Sequence, residues 1–264
     1  MHKITIIARK EWAQVFRNRL VLFSVLLLPL IMTAIPLGIL LAMRGEGAIA
    51  SVEAELPEQI NAFCPGNLDT GECFQVYMVS QFMLMFMILP LAIPATIAAY
   101  SVVGEKTART LEPLLATPIT TAELLLGKSL AGILPGVLAT YLAFGVFVFG
   151  AWLLIPNPQL LKALLDGRWL VAVFITGPLM ALMAVNFSIM VSSRVDDPRV
   201  AEQLSMLVIL PLMLLFFGQL AGLFVINRAM IWSITALLLV LDAALIYLAV
   251  QIFERENVLT RWGA

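Results

Sequence analysis

The chain has 264 residues, of which 61% are hydrophobic and only 12% charged, with a formal net charge of −1. At a mean hydropathy of +0.99 there is too little charge to cover a water-soluble domain of this size, so lipid must be part of the solvent. The near-zero balance by itself says nothing about acidic partners, and nucleic acid is not expected among the partners.

In chain order, Ile4, Ile7, Ala8, Trp12, Val15 and Phe16 recur at helical spacing, while Lys3, Arg9, Lys10, Gln14 and Arg17 take the other side. This predicts a basic amphipathic helix over 1–19, lying in the inner membrane interface. Anchoring to anionic lipid explains it nearly as well as a partner-binding role. Six uncharged runs follow, at 20–43, 77–103, 129–155, 169–193, 203–227 and 229–253, the last interrupted by Asp242. A hydrocarbon core of about 30 Å needs about 20 helical residues, so each run can span it. Backbone groups in lipid must bond internally, and these runs are apolar on every side rather than alternating, so they predict helices and not barrel strands. The fold class expected is an all-α membrane protein of six transmembrane helices. The first run is too long for a signal-peptide core, and Met43-Arg44-Gly45-Glu46 follows it in place of a cleavage pattern.

Between the first two runs, 44–76 is the one sizeable segment outside the membrane. It carries six acids (Glu46, Glu53, Glu55, Glu58, Asp69 and Glu72) against Arg44, and both cysteines, Cys64 and Cys73. Pro65, Gly66, Asn67 and Gly71 supply turns between them. In an oxidising exterior a Cys64–Cys73 disulfide is expected, with free thiols the alternative. Two cysteines without a nearby histidine are a poor metal site, since the sole histidine is His2.

After the second run, 104–128 is a charged exit, a short amphipathic element around Leu111, Leu114 and Leu115, and a Thr117-Pro118 break. Such an element presents a docking ridge on the inner surface. Thr120 and Glu123 have the spacing of a capping box that opens the third spanning region. The stretch from Ala122 to Ser129 ends in Gly127-Lys128-Ser129 like a phosphate-binding loop, but three leucines fill its middle and no strand precedes it. The matching residues Glu105, Lys106, Thr110, Leu111, Glu112, Leu114, Leu115, Thr117, Pro118, Ile119, Glu123, Gly127 and Lys128 make this loop resemble that of the permease subunits of ABC-2-type ABC transporters. Ala108-Arg109 departs from the family's usual Arg-Gly. The second inner loop, Ser192 to Leu204, is also similar to the family's.

Further along, prolines fall inside spanning runs at positions 29, 36, 90, 94, 135, 178 and 211, each removing a backbone bond and permitting a kink. Gly218-x-x-x-Gly222 lets a second helix approach closely, within one subunit or across a dimer seam. Asp242 is the one ionisable residue deep in a span, where a charge costs roughly 2.5–3.5 kcal/mol on insertion scales. Tyr141 and Thr33, judged to lie at similar depth, are its expected hydrogen-bond partners. Asp242 and Tyr141 read either as polar points on a cation or substrate path or, for Asp242, as a protonated structural hydrogen bond. Orientation follows from the sixteen Lys and Arg residues. With the amino terminus inside, twelve fall in cytoplasmic segments and only Arg44, Lys162, Arg168 and Arg228 outside. Both termini are expected in the cytoplasm.

The resemblance implies a permease without catalysis of its own, working as a homodimer or as a heterodimer with a similar permease in the plasma membrane lipid bilayer. A separate ABC ATPase subunit would bind ATP and Mg, and none is expected on this chain. Glu105, Arg109 and Glu112 would pair with that subunit, Leu114 and Leu115 would add apolar area, and Thr117 and Pro118 would complete the coupling element. Such permeases mostly export drugs, lipids, polysaccharides or ions. The alternative is a membrane scaffold or regulator that answers to an ABC ATPase and moves nothing. An intramembrane enzyme is disfavoured by the missing catalytic groups.

Overall fold

The computed structural model describes residues 2–15, 17, 19–43, 68–107 and 120–252. All regular structure among them is helical: α1 (His2–Val15), α2 (Arg19–Ala42), α3 (Thr70–Phe86), α4 (Leu89–Thr107), α5 (Thr121–Leu154), α6 (Pro158–Leu164), α7 (Gly167–Val171), α8 (Gly177–Ser193), α9 (Pro198–Ser205), α10 (Leu210–Leu220) and α11 (Arg228–Ile252). A π-turn, Ala172–Thr176, joins α7 to α8, and a 3-10 turn, Met206–Ile209, joins α9 to α10. Six stretches are long and apolar enough to cross a bilayer: Val25–Ala42, Gly71–Thr107, Ala122–Leu154, Pro158–Ser193, Pro198–Leu220 and Arg228–Gln251. The chain is therefore an all-α, multi-pass membrane protein, as its composition requires.

The bundle is arranged around its second span. In that span 83% of the most apolar window is buried, against 22% in the first, fifth and sixth. α4 is the hub, packed by α8, α5, α9 and α2. The outward faces of the other spans stay apolar, with Phe23, Leu142, Leu214 and Val240 all more than 60% exposed, which is what lipid in place of water demands.

Helix ends follow local chemistry. Glu123 N–H donates to Thr120 Oγ1 at 3.2 Å, and Thr120 N–H donates back to Glu123 Oε2 at 2.9 Å. This is the expected capping box, and it starts α5. Asn157 and Asp197 cap α6 and α9 ahead of Pro158 and Pro198, where a missing N–H costs nothing. Inside the second span, Pro90 has no N–H for the Phe86 carbonyl. The helix steps at Met87 and Ile88, whose amides reach three residues back to Leu84 (3.1 Å) and Met85 (2.9 Å).

Two orphaned carbonyls are answered from other helices. Pro135 leaves the Ala131 carbonyl without its helical donor, and Trp12 Nε1 of α1 fills the place at 3.0 Å. Pro178 does the same to Phe174, whose carbonyl accepts from Tyr141 Oη at 3.4 Å. Prolines are tolerated in membrane helices where neighbours re-satisfy the backbone. Here the neighbours are aromatic donors.

Three sequence expectations change. The outer segment, expected to run to residue 76, gives way to helix at Thr70, so Cys73 lies buried near the start of α3 while Cys64 falls outside the described residues. The fifth span stops at Leu220 instead of continuing to residue 227. There Gly222 adopts φ 74°, and the amides of Gly222 and Leu223 bond back to Gln219 and Gly218, both at 3.0 Å. That is a Schellman stop, which needs a left-handed residue. Gly218 and Gly222 are consequently a helix terminator and not a helix-packing motif: a Cβ on Gly218 would meet the Phe224 ring at 2.8 Å. The close helix approach is made elsewhere, by Gly136 of α5, where a Cβ would lie 2.4 Å from Pro94 Cγ of α4.

Candidate coupling site

The segment 104–128 is mounted on two helices, because Gly104 to Thr107 complete α4 and Thr121 to Lys128 begin α5. Arg109, Glu112, Leu114, Leu115, Thr117 and Pro118 lie outside the described residues. The described residues on either side form a buried ion cluster. Lys128 Nζ stands 2.7 Å from Glu105 Oε2 and 3.1 Å from Glu11 Oε1. It also donates to Ser101 Oγ at 2.8 Å, and that hydroxyl donates to Glu11 Oε2 at 2.6 Å. Lys10 pairs with Glu105 from the rim. Glu11, Glu105 and Lys128 are each no more than 3% exposed.

The cluster holds two carboxylates and two ammonium groups, so its charges sum to zero. That balance is what allows ions out of water at all, since an unpaired buried charge is prohibitive. Burial works against the Lys10 ammonium, but the hydrogen bond and charge of Glu105, and then Glu11, outweigh it and raise its pKa above the ordinary lysine value. Lys10 therefore stays charged.

The same corner is tied on its other sides. Lys106 meets Asp196 of the loop between α8 and α9 at 2.5 Å, and Tyr100 Oη donates to Glu202 of α9 at 3.1 Å. α1 lies against α5 at Gly127, where a Cβ would come within 2.7 Å of Ile7 Cγ2. Lys3 adds a looser pair with Glu123 at 3.7 Å. One corner thus joins α1, both ends of the first loop and the start of α9.

This places one expected docking residue differently. Glu105 was expected to face a partner, but its carboxylate turns into the bundle, because Lys128 one loop away offers a nearer, desolvated cation. Of the cluster, Lys10 belongs by its spacing to the basic face of α1 and Lys128 to the family's loop pattern, while Glu11 and Ser101 carry no motif. A signal for Glu11 was present. It follows Ile7 by four residues and Ala8 by three, which puts it on the apolar stripe of α1, where a carboxylate needs a partner. Lys128 lies within the opening turns of α5 with its ammonium committed to two carboxylates, so the segment is no phosphate-binding loop.

Asp242 is a contrasting case. Ile231, Thr235, Leu238, Asp242 and Ala249 are the buried stripe of α11, which packs chiefly on α8. Thr176 Oγ1 and Thr235 Oγ1, 2.8 Å apart, set the level of the two helices. Asp242 is two turns further along α11, about 10 Å, near the middle of the helix. It is 3% exposed, and neither carboxyl oxygen has a hydrogen-bond partner among the described residues. The partners expected for it are engaged elsewhere: Tyr141 donates to Phe174, and Thr33 donates to Pro29 O at 2.9 Å. Intrahelical carbonyls and a proline-freed carbonyl capture those hydroxyls first.

A cavity of about 410 Å³ lies between α2, α4 and α9, lined by Phe23, Leu27, Ile31, Ile88 and Met206, with Thr96 and Glu202 its polar members. Residues 5–249 match the family described as ABC-2 family transporter protein. No curated protein matches the chain.

Proposed function

The chain belongs to the ABC-2 transporter family and is a membrane permease component of an ABC transporter, not itself catalytic; from that premise we propose that it exports its substrate across the plasma membrane, driven by a separate ATPase subunit that docks under the loop of segment 104–128. ATP and Mg belong to that subunit. Two permeases, identical or similar, clasp a pair of ATPases, and the α1 end of the bundle faces the cytoplasm. The twelve-to-four split of Lys and Arg supports that orientation. A Cys64–Cys73 disulfide closes the outer segment.

The observation that carries the reading is the buried Lys128–Glu105 pair of 2.7 Å at the root of the loop. Both ends of the loop are fastened there to each other and, through Glu11 and Asp196, to α1 and the second inner loop. A loop on a slack hinge would absorb a push. One on a desolvated clamp passes it to α4, the most buried helix of the bundle.

The test compares two charge reversals in the full transporter. Glu112→Lys on the loop should weaken co-purification with the ATPase or uncouple ATP hydrolysis from transport, since losing one partner of a desolvated charge pair costs about 2–5 kcal/mol. Glu58→Lys in the outer segment should do neither, a solvated charge being worth almost nothing. Normal assembly and transport by Glu112→Lys would remove that residue from the coupling contact. ATP-dependent transport in vesicles separates a permease from a non-transporting regulator.

A further inference from the structure

We propose that Asp242 is a reversible proton-binding site in the middle of the sixth span. The inference stands on the side chain's surroundings and does not depend on the transport reading. An ionised carboxylate only accepts hydrogen bonds, and none is donated to Asp242 by any described residue. A protonated carboxyl has an O–H to give, and this bundle supplies acceptors for such protons. Thr33, Thr96, Thr140 and Thr235 each donate to the carbonyl four residues back, at 2.8–3.0 Å.

Among the described residues no cation is paired with the carboxylate. The π-turn and α8 contain no ionisable residue. On α5, Glu123 is tied to Thr120 and Lys3, Lys128 is committed to Glu11 and Glu105, and the Tyr141 hydroxyl goes to Phe174. On α7, Arg168 pairs with Asp166 at 3.1 Å and donates to Ile226 O at the opposite end of the bundle. Arg228 begins α11 itself, and Tyr247 on α11 is exposed.

A metal cation fits the site less well than a proton. A hard cation in place of the proton asks for six or more oxygens, whereas Asp242 brings two and no second acidic side chain joins it among the described residues. A proton requires one oxygen only. The charged form is admissible only when water reaches the group, so any rearrangement that hydrates the α8–α11 seam exchanges a proton with the solvent.

The experiment treats membranes containing the full chain with a lipid-soluble carbodiimide, which adds to protonated carboxyls, and with a water-soluble one, and maps adducts by mass spectrometry. The lipid-soluble reagent should modify Asp242. The yield should fall by about tenfold per pH unit once the solution passes the group's own midpoint, and the water-soluble reagent should leave it untouched. A second arm follows thermal unfolding of the solubilised parent and of Asp242→Asn from mildly acidic to mildly alkaline pH. Unfolding exposes the carboxyl to water, where it ionises, so rising pH should lower the parent's midpoint and leave that contribution absent from the variant. Identical pH dependence of the two proteins overturns the proposal, as does an adduct yield that is flat with pH.

Discussion

At the α1 end of the bundle four ionisable side chains share one corner, three of them fully buried, whereas in the middle of α11 a single carboxyl is buried by itself. The residue types overlap, and the electrostatic solutions are opposite. In the corner, Lys128 sits between two carboxylates, with Lys10 balancing the sum, and the charges hold three helices in register. At Asp242 no described residue compensates, so the neutral acid is the form that fits. Burial alone therefore says little about what an acidic residue does in a membrane protein. Its partners decide.

The sharpest way to break this comparison is Lys128→Met. It leaves Glu11 and Glu105 buried with only the rim cation Lys10, and breaking a buried pair from one side costs about 3–5 kcal/mol. Unfolding by heat in detergent should show a large loss. Adding Glu11→Gln, which restores charge balance, should recover part of it. A single variant as stable as the parent would mean the corner is not desolvated.

A smaller loss is expected from Trp12→Phe, which removes the indole donor to the Ala131 carbonyl left open by Pro135. An unsatisfied buried acceptor costs about 1–3 kcal/mol. Because this contact binds α1 to α5 without charge, its salt dependence should be nil. Any shift with ionic strength would show that the two contributions to α1 docking are not separable.

The smallest effect belongs to Asp242→Asn at about pH 4, within about 1 kcal/mol, since an amide there replaces an acid that is largely neutral in both the folded and the unfolded chain and has nearly the same shape. A loss approaching that of Lys128→Met would make Asp242 an ion with a partner, and the contrast between the two regions would collapse.

The number of spans, their helical nature and the capping box at Thr120 could be read from the sequence because each rests on local quantities, namely apolar length, backbone satisfaction in lipid and a three-residue spacing. The family resemblance was carried by the segment 104–128 and by Ser192 to Leu204, and the match over residues 5–249 agrees with it. Interactions between segments distant in sequence were not legible. Glu105 pairs with a lysine 23 positions along, past a loop, and Glu11 with the same lysine 117 positions away, so neither could be assigned from spacing. Gly218 and Gly222 matched a packing motif, yet one φ of 74° made them a helix stop, while Gly136 packs against Pro94 unannounced. The sequence by itself determined which segments enter the membrane, because lipid tests each segment's own polarity. Only the tertiary structure decided which buried charges are paired and which carboxyl stands alone, because that depends on which helices meet.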